Sequence, residues 1–172
     1  MKLTRFAPLP RGFTLIELVA VLVVIGILTT VAVVALDDDG ALDSRALLDH
    51  TQAALRYAQK TAMTQQRYVC VAFPSSNSLA LSFNFNYSAG PVYACDTALP
   101  DPANSSAQYR INSSKAAYSA SANFAFDPSG KPVDASGNPT CTTSCRIAVA
   151  GEAAPLCIAP QTGRIYLEGN SC

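Results

Sequence analysis

Glu17 is the one ionisable side chain in the run FTLIELVAVLVVIGILTTVAVVAL, residues 13–36. An ionised carboxylate at such a depth in lipid costs roughly 2.5–3.5 kcal/mol unless a cation meets it. The run contains no Lys or Arg, so the nearest unused cation is the free amine that cutting after Gly12 would create at Phe13. The remaining groups with reactive potential are six cysteines, Cys70, Cys95, Cys141, Cys145, Cys157 and Cys172, and a single histidine, His50. All six thiols follow the apolar run and none precedes it, which fits an oxidising, extracytoplasmic compartment. Three bridges follow from the even count. Fifteen pairings are possible, and chain proximity favours Cys70–Cys95, Cys141–Cys145 and Cys157–Cys172, each loop closure of this size adding about 2–4 kcal/mol.

Competing chemistries are weaker. Cys141-Thr142-Thr143-Ser144-Cys145 has ligand-like spacing, but His50 lies on a helix and the other cysteines form no second close pair, so no metal is assigned. Asp37-Asp38-Asp39-Gly40 lacks the spaced ligands and closing Glu of a calcium loop and reads as a solvated helix joint. There is no Gly-x-Ser-x-Gly elbow, Ser-x-x-Lys, His-Glu-x-x-His or glycine-rich phosphate loop, so the chain reads as neither an enzyme nor the holder of a cofactor. His50, beside Asp49 with no nucleophile nearby along the helix, is read as a surface residue, and Asp127 as a turn former. Full-chain charge is balanced at 12 basic and 12 acidic residues. Without Lys2, Arg5 and Arg11, nine basic residues face twelve acidic ones, and no electrostatic case for nucleic acid remains.

Positioned this way, Gly12-Phe13-Thr14-Leu15-Ile16-Glu17-Leu18 behind a short basic leader resembles the type IV prepilin family, including the pseudopilins of type II secretion. The resemblance implies that a prepilin peptidase cuts between Gly12 and Phe13 and N-methylates Phe13, whose positive charge persists. It also implies that Glu17 pairs with the terminal amine of a neighbouring subunit. Partners would then be the peptidase and methyltransferase, other pilin or pseudopilin subunits met through the N-terminal helix, and an inner-membrane assembly platform.

These residues need a helix long enough to hold them. Twenty-four helical residues extend about 36 Å, enough to cross a ~30 Å hydrocarbon layer. Lys2, Arg5 and Arg11 keep the N-terminus cytoplasmic and leave the rest on the periplasmic side. The chain divides into a cleaved leader (1–12), a transmembrane and polymerisation helix (13–36), an amphipathic continuation (37–66) and a disulfide-rich β-sheet domain (67–172). In the continuation, Leu47, Leu48, Ala54, Leu55, Ala58 and Ala62 recur at helical spacing, with Arg56, Gln59 and Lys60 left for the wet side.

The domain that buries that stripe reads as strands. Leu79, Leu81, Phe83 and Phe85 alternate with small polar residues, giving a half-buried strand, and 68–73 reads as the strand before it. Further strands are expected at 108–112, 123–126, 146–150, 156–159 and 164–167, separated by turns at Asp127-Pro128-Ser129-Gly130, Gly137-Asn138-Pro139 and Gln161-Thr162-Gly163. Residues 88–106 read as a long loop, and no internal repeat is evident. The expected fold is α+β: one long N-terminal helix whose second half packs on an antiparallel sheet.

A second resemblance bears on the role. AALRYAQKTAMTQQ at 53–66, FDPSG at 126–130 and PQTGRI at 160–165 are similar to the GspH/FimT group of minor pilins and pseudopilins and to minor pilins of the mannose-sensitive haemagglutinin type. It implies a minor type IV pilin that primes assembly, caps the filament or adheres, first in the inner membrane and then in a surface pilus. The alternatives are a GspH-type secretion pseudopilin in a periplasmic pseudopilus, a DNA-binding pilus subunit, or a membrane-anchored binding module that never polymerises. Arg146 and Arg164 read as isolated cations, and the tail carries none. Adhesion is expected of the 88–106 loop.

Overall fold

The computed structural model describes residues 14–36, 39–84, 95–141, 145–169 and 172. The chain forms two compact units, Met1–Asp39 and Gly40–Cys172. In the first, α1 runs Leu15–Leu36. It starts where Thr14 accepts the Leu18 N–H on its carbonyl at 3.2 Å, while its hydroxyl accepts the Glu17 N–H at 3.3 Å. Thr14 is therefore the N-cap, its hydroxyl meeting the Glu17 amide, one of those that the first turn leaves without an i−4 helical partner. Side chains of α1 are described as far as Ile27, and all of them are exposed. Among the described residues no helix is long and apolar enough to cross a membrane. Assignment of 13–36 to the bilayer rests on the sequence of the whole run.

The second unit is organised around α2, Asp39–Gln65. Leu47, Leu48, Ala54, Leu55, Ala58 and Ala62 are all buried, as the helical spacing predicts. Alanines at 54, 58 and 62 recur every four residues and keep this face slim where the sheet lies against it. Thr51, in the middle of the stripe, is also fully buried. It is tolerated because its hydroxyl donates to the Leu47 carbonyl at 2.7 Å and shares a 2.7 Å hydrogen bond with the Tyr118 hydroxyl. The helix stops at Gln66, whose φ of 52° turns the chain left-handed so that the Arg67 N–H closes on the Ala62 carbonyl at 3.1 Å.

Twelve strands follow among the described residues: β1 Val69–Ser75, β2 Ser78–Phe83, β3 Thr97–Ala98, β4 Pro100–Asp101, β5 Asn104–Gln108, β6 Arg110–Asn112, β7 Tyr118–Ala120, β8 Phe124–Phe126, β9 Pro132–Val133, β10 Cys145–Val149, β11 Leu156–Ile158 and β12 Ile165–Leu167. All pairings are antiparallel. A first sheet has the order β3-β2-β1-β8-β9 with β6 also on β2, a second the order β12-β11-β10-β7, and β4-β5 form a hairpin. Register places Val71 opposite both Leu81 and Phe124, and Val69 opposite both Phe83 and Phe126. Directly opposed residues share a face, so these form one apolar surface, which joins the α2 stripe in a single core. On the reverse face Cys70 lies opposite Ala125, and Ala125 opposite Val133, in a smaller cluster that includes Tyr68 and Cys95. Disulfides join Cys70 to Cys95, Cys141 to Cys145 and Cys157 to Cys172.

Three expectations change. Residues 88–106 are not one loop: 95–106 contributes β3, β4 and the start of β5, with Leu99 fully buried and hydrogen-bonded to Leu81 and Tyr109 along the backbone. Residues 85–94, with Phe85 and the rest of that loop, lie outside the described residues. The strand at β2 is covered on both faces rather than half-buried, because Ser78 and Ala80 are buried along with Leu79 and Leu81. β7 and β9 are too short for alternation to reveal them, at three and two residues.

Candidate processing and assembly site

Gly12 and Phe13 lie outside the described residues. Glu17 is described, in the first turn of α1 and three residues after the cap. Thr14 and Glu17 thus occupy the N-cap and N3 positions of a capping box, and an acidic group at N3 faces the positive end of the helix dipole. The signal for it, Thr-x-x-Glu ahead of an apolar run, is legible in the sequence.

The three scattered segments 53–66, 126–130 and 160–165 meet in space. Gln59, assigned above to the wet side, is half-buried instead, and its Nε2 donates to the Gly130 carbonyl at 3.0 Å and the Thr162 carbonyl at 3.2 Å. One amide therefore fastens two turns to α2. Gly163, at φ 65°, packs so closely that a Cβ would collide with the Gly130 carbonyl and Gln59. Gly130, at φ 81°, has Met63 where its Cβ would be. Both positions require glycine for conformation and for space.

Asp127 shapes the first of these turns: its Oδ1 accepts the Ser129 N–H, the Ser129 hydroxyl and the Lys131 N–H at 2.7–2.8 Å. Asp134 does the same seven residues later, accepting from the Ser136 and Asn138 amides. These hydrogen bonds favour the ionised form and hold the Asp134 carboxyl below its ordinary 3.8. The turns are a tandem echo, DPSGKPV at 127–133 and DASGNPT at 134–140. The absence of an internal repeat is thereby corrected. Two copies of seven residues fall far below the period of a repeat fold, which is why the echo is easy to miss.

At the N-terminal end of α2, the Ser44 hydroxyl donates to the Ala150 carbonyl at 2.8 Å, and Arg45 pairs with Asp49 and Glu152. A shallow cleft of about 220 Å³ beside it is lined by Asp43, His50, Ser113 and Ser114 among others. Tertiary structure thus brings serines near His50 that helical spacing does not. Asp43, two helical turns from His50, is paired with Lys115 at 3.5 Å, and Ser113 Oγ accepts the Ala116 N–H at 2.9 Å. Among the described residues His50 makes no hydrogen bond, so the nucleophile, base and orienting group of a catalytic relay are not linked here.

Arg146 lies opposite Cys157 and Cys157 opposite Tyr166, so Arg146 and Tyr166 share the outer face of the second sheet, and the Arg164 guanidinium stands 6.0 Å from the Tyr166 ring. With all six sulfurs in disulfides, the Cys141 and Cys145 thiolates that a zinc ion would need are consumed.

Residues 10–33 match the family described as the prokaryotic N-terminal methylation motif. No curated protein matches the chain. Among solved structures, the chain is similar to the type IV minor pilin FimU of Pseudomonas aeruginosa strain PAO1 in two crystal forms. One is 18% identical with a TM-score of 0.46, covering 72% of this chain and 91% of that one. The other is 17% identical with a TM-score of 0.47, covering 72% and 87%. The motif implies anchoring in the inner membrane, and the matched stretch includes Gly12, Phe13, Thr14 and Glu17. Over residues 10–33 the chain carries the prokaryotic N-terminal methylation motif.

Proposed function

We propose that this chain is a minor pilin subunit. It enters the inner membrane through residues 13–36 with its N-terminus cytoplasmic, loses residues 1–12 to a prepilin peptidase that hydrolyses the Gly12–Phe13 bond, and is N-methylated on Phe13. It then joins a pilus filament, where it primes assembly or occupies the tip. The observation that carries this reading is Glu17, a single carboxylate in the first turn of an otherwise apolar helix. Moved from lipid into a bundle of similar helices, α1 exchanges one apolar surrounding for another, so bulk burial discriminates little between them. The carboxylate does discriminate. At the correct stagger it meets the Phe13 ammonium of a neighbour, and at any other it stays desolvated and unpaired, a penalty of several kcal/mol. The disulfide-rich exported domain supports a pilus in preference to a secretion pseudopilus.

Two substitutions test the reading, followed by mass spectrometry of the membrane fraction and of sheared filaments. Gly12→Ala is expected to leave the chain at full length. Glu17→Ala is expected to be cut normally and to be depleted from filaments at least tenfold, the factor that ~1.4 kcal/mol represents. Normal shortening of the Gly12 variant, or undiminished entry of the Glu17 variant, overturns it.

A further inference from the structure

We infer that the cleft between α2 and the end of β6 binds a neutral, hydroxyl-rich ligand, the hexopyranose ring that ends a glycan. The inference stands on the Gly40–Cys172 unit alone and goes beyond the assembly reading above. One wall is helical: Asp43, Ala46, Leu47 and His50 fall at i, i+3, i+4 and i+7 and so share a face of α2. The other is the run Ile111-Asn112-Ser113-Ser114, where the chain leaves β6. Asn77 pins that wall, its side-chain amide donating to the Ser113 carbonyl at 2.8 Å and its own carbonyl accepting the Ser113 N–H at 3.0 Å. Between them the walls leave about 220 Å³.

The chemistry of the lining selects the ligand. Asp43 Oδ2 is buried and accepts no hydrogen bond, a costly state for a carboxylate oxygen. The Lys115 ammonium at 3.5 Å balances its charge without hydrogen-bonding to it, so the cleft calls for a neutral donor and not a second cation. The His50 ring, the Asn112 side-chain amide and the Ser114 hydroxyl are likewise uncommitted among the described residues. Ser113 Oγ, which accepts the Ala116 N–H at 2.9 Å, still has its own hydrogen to give. Donors and acceptors are thus mixed, which suits hydroxyl groups, each of them both, better than an anion or an ammonium. Ala46, Leu47 and Ile111 add aliphatic surface for the C–H face of a ring. The cleft is shallow and His50, Asn112 and Ser114 are exposed, so the far side of a bound ring can continue into a longer chain.

The test is an NMR titration of the isotope-labelled full chain, in a detergent without sugar headgroups, with the methyl glycosides of glucose, galactose and mannose. At least one is expected to shift the backbone amides of His50, Asn112, Ser113 and Ser114 saturably, with a dissociation constant in the millimolar range of a ligand with few contacts. Asp43→Asn is expected to weaken binding about tenfold, as the loss of a hydrogen bond to a charged group does. Asn112→Ala, at an exposed position, should weaken it about fivefold, the factor one neutral hydrogen bond represents. Arg56→Ala, outside the cleft, should leave affinity unchanged. If Asp43→Asn does not fold, Asn112→Ala decides. No saturable shift at these amides with any of the glycosides, equal affinity in wild type and Asn112→Ala, or the same shifts from glycerol overturns the inference. So does tighter binding of ethylamine, which marks a cation site, or binding of the free hexoses without their methyl glycosides, which excludes a glycan end.

Discussion

Asp134 has a side chain that shapes its own turn, and pH exposes that work. Its Oδ1 accepts the Ser136 and Asn138 amides, and those bonds depress its pKa below 3.8. A carboxyl depressed by folding contributes stability above its unfolded value, and that contribution is lost as pH falls through the lower, folded value. The second turn of the tandem is therefore expected to hold at neutral pH and to loosen only below about pH 4. An NMR titration of the Asp134 carboxyl carbon checks this. A midpoint below 3.8 is expected, and one at or above it removes the role assigned to the turn.

At the scale of elements, Gln59 ties α2 to two turns that lie about 70 and 100 residues further along the chain, by hydrogen bonds to Gly130 and Thr162. Replacing it with leucine fits the volume and removes the donor. The part-buried Gly130 carbonyl is then left without its partner, at a cost of about 1–3 kcal/mol, while the exposed Thr162 carbonyl can turn to water. Urea unfolding of the detergent-solubilised chain should show that loss for Gln59→Leu. Lys60→Ala, one residue on and exposed, should stay within about 0.5 kcal/mol. Equal effects from the two would deny Gln59 its fastening role. The RYAQ, FDPSG and TGRI segments are thus the three contacts of one joint.

For the molecule as a whole, adhesion by the long loop has to be restated. The described part of 88–106 is a docked hairpin, held by Leu99 in the core, by the Tyr57 hydroxyl donating to the Pro100 carbonyl at 3.0 Å, and by Tyr57 packing on Tyr109 with ring centroids 5.5 Å apart. Deleting residues 96–107 is expected to prevent folding, with loss of near-ultraviolet circular dichroism. Replacing Asn104 and Ser105, which are exposed at the start of β5, with aspartates should leave the unfolding midpoint unchanged. An attachment defect in the second variant would locate a contact surface at the hairpin tip. A defect seen only on deletion would report the lost fold.

Much of this was legible along the chain. The apolar run, the carboxylate in it and the six α2 core residues follow from spacing alone, because a helix reports its buried face every three or four residues wherever it packs. The strand at β2 was readable for a similar reason, with a period of two. Spacing could not say that Gln59 turns inward, that Thr51 meets Tyr118, or that serines approach His50. Each of those depends on which distant segment lies opposite, a matter of strand order and register, and two- and three-residue strands carry too little pattern to announce it. Local periodicity fixed the anchor and the spine, while the partners of polar side chains were settled only when the two sheets closed around them.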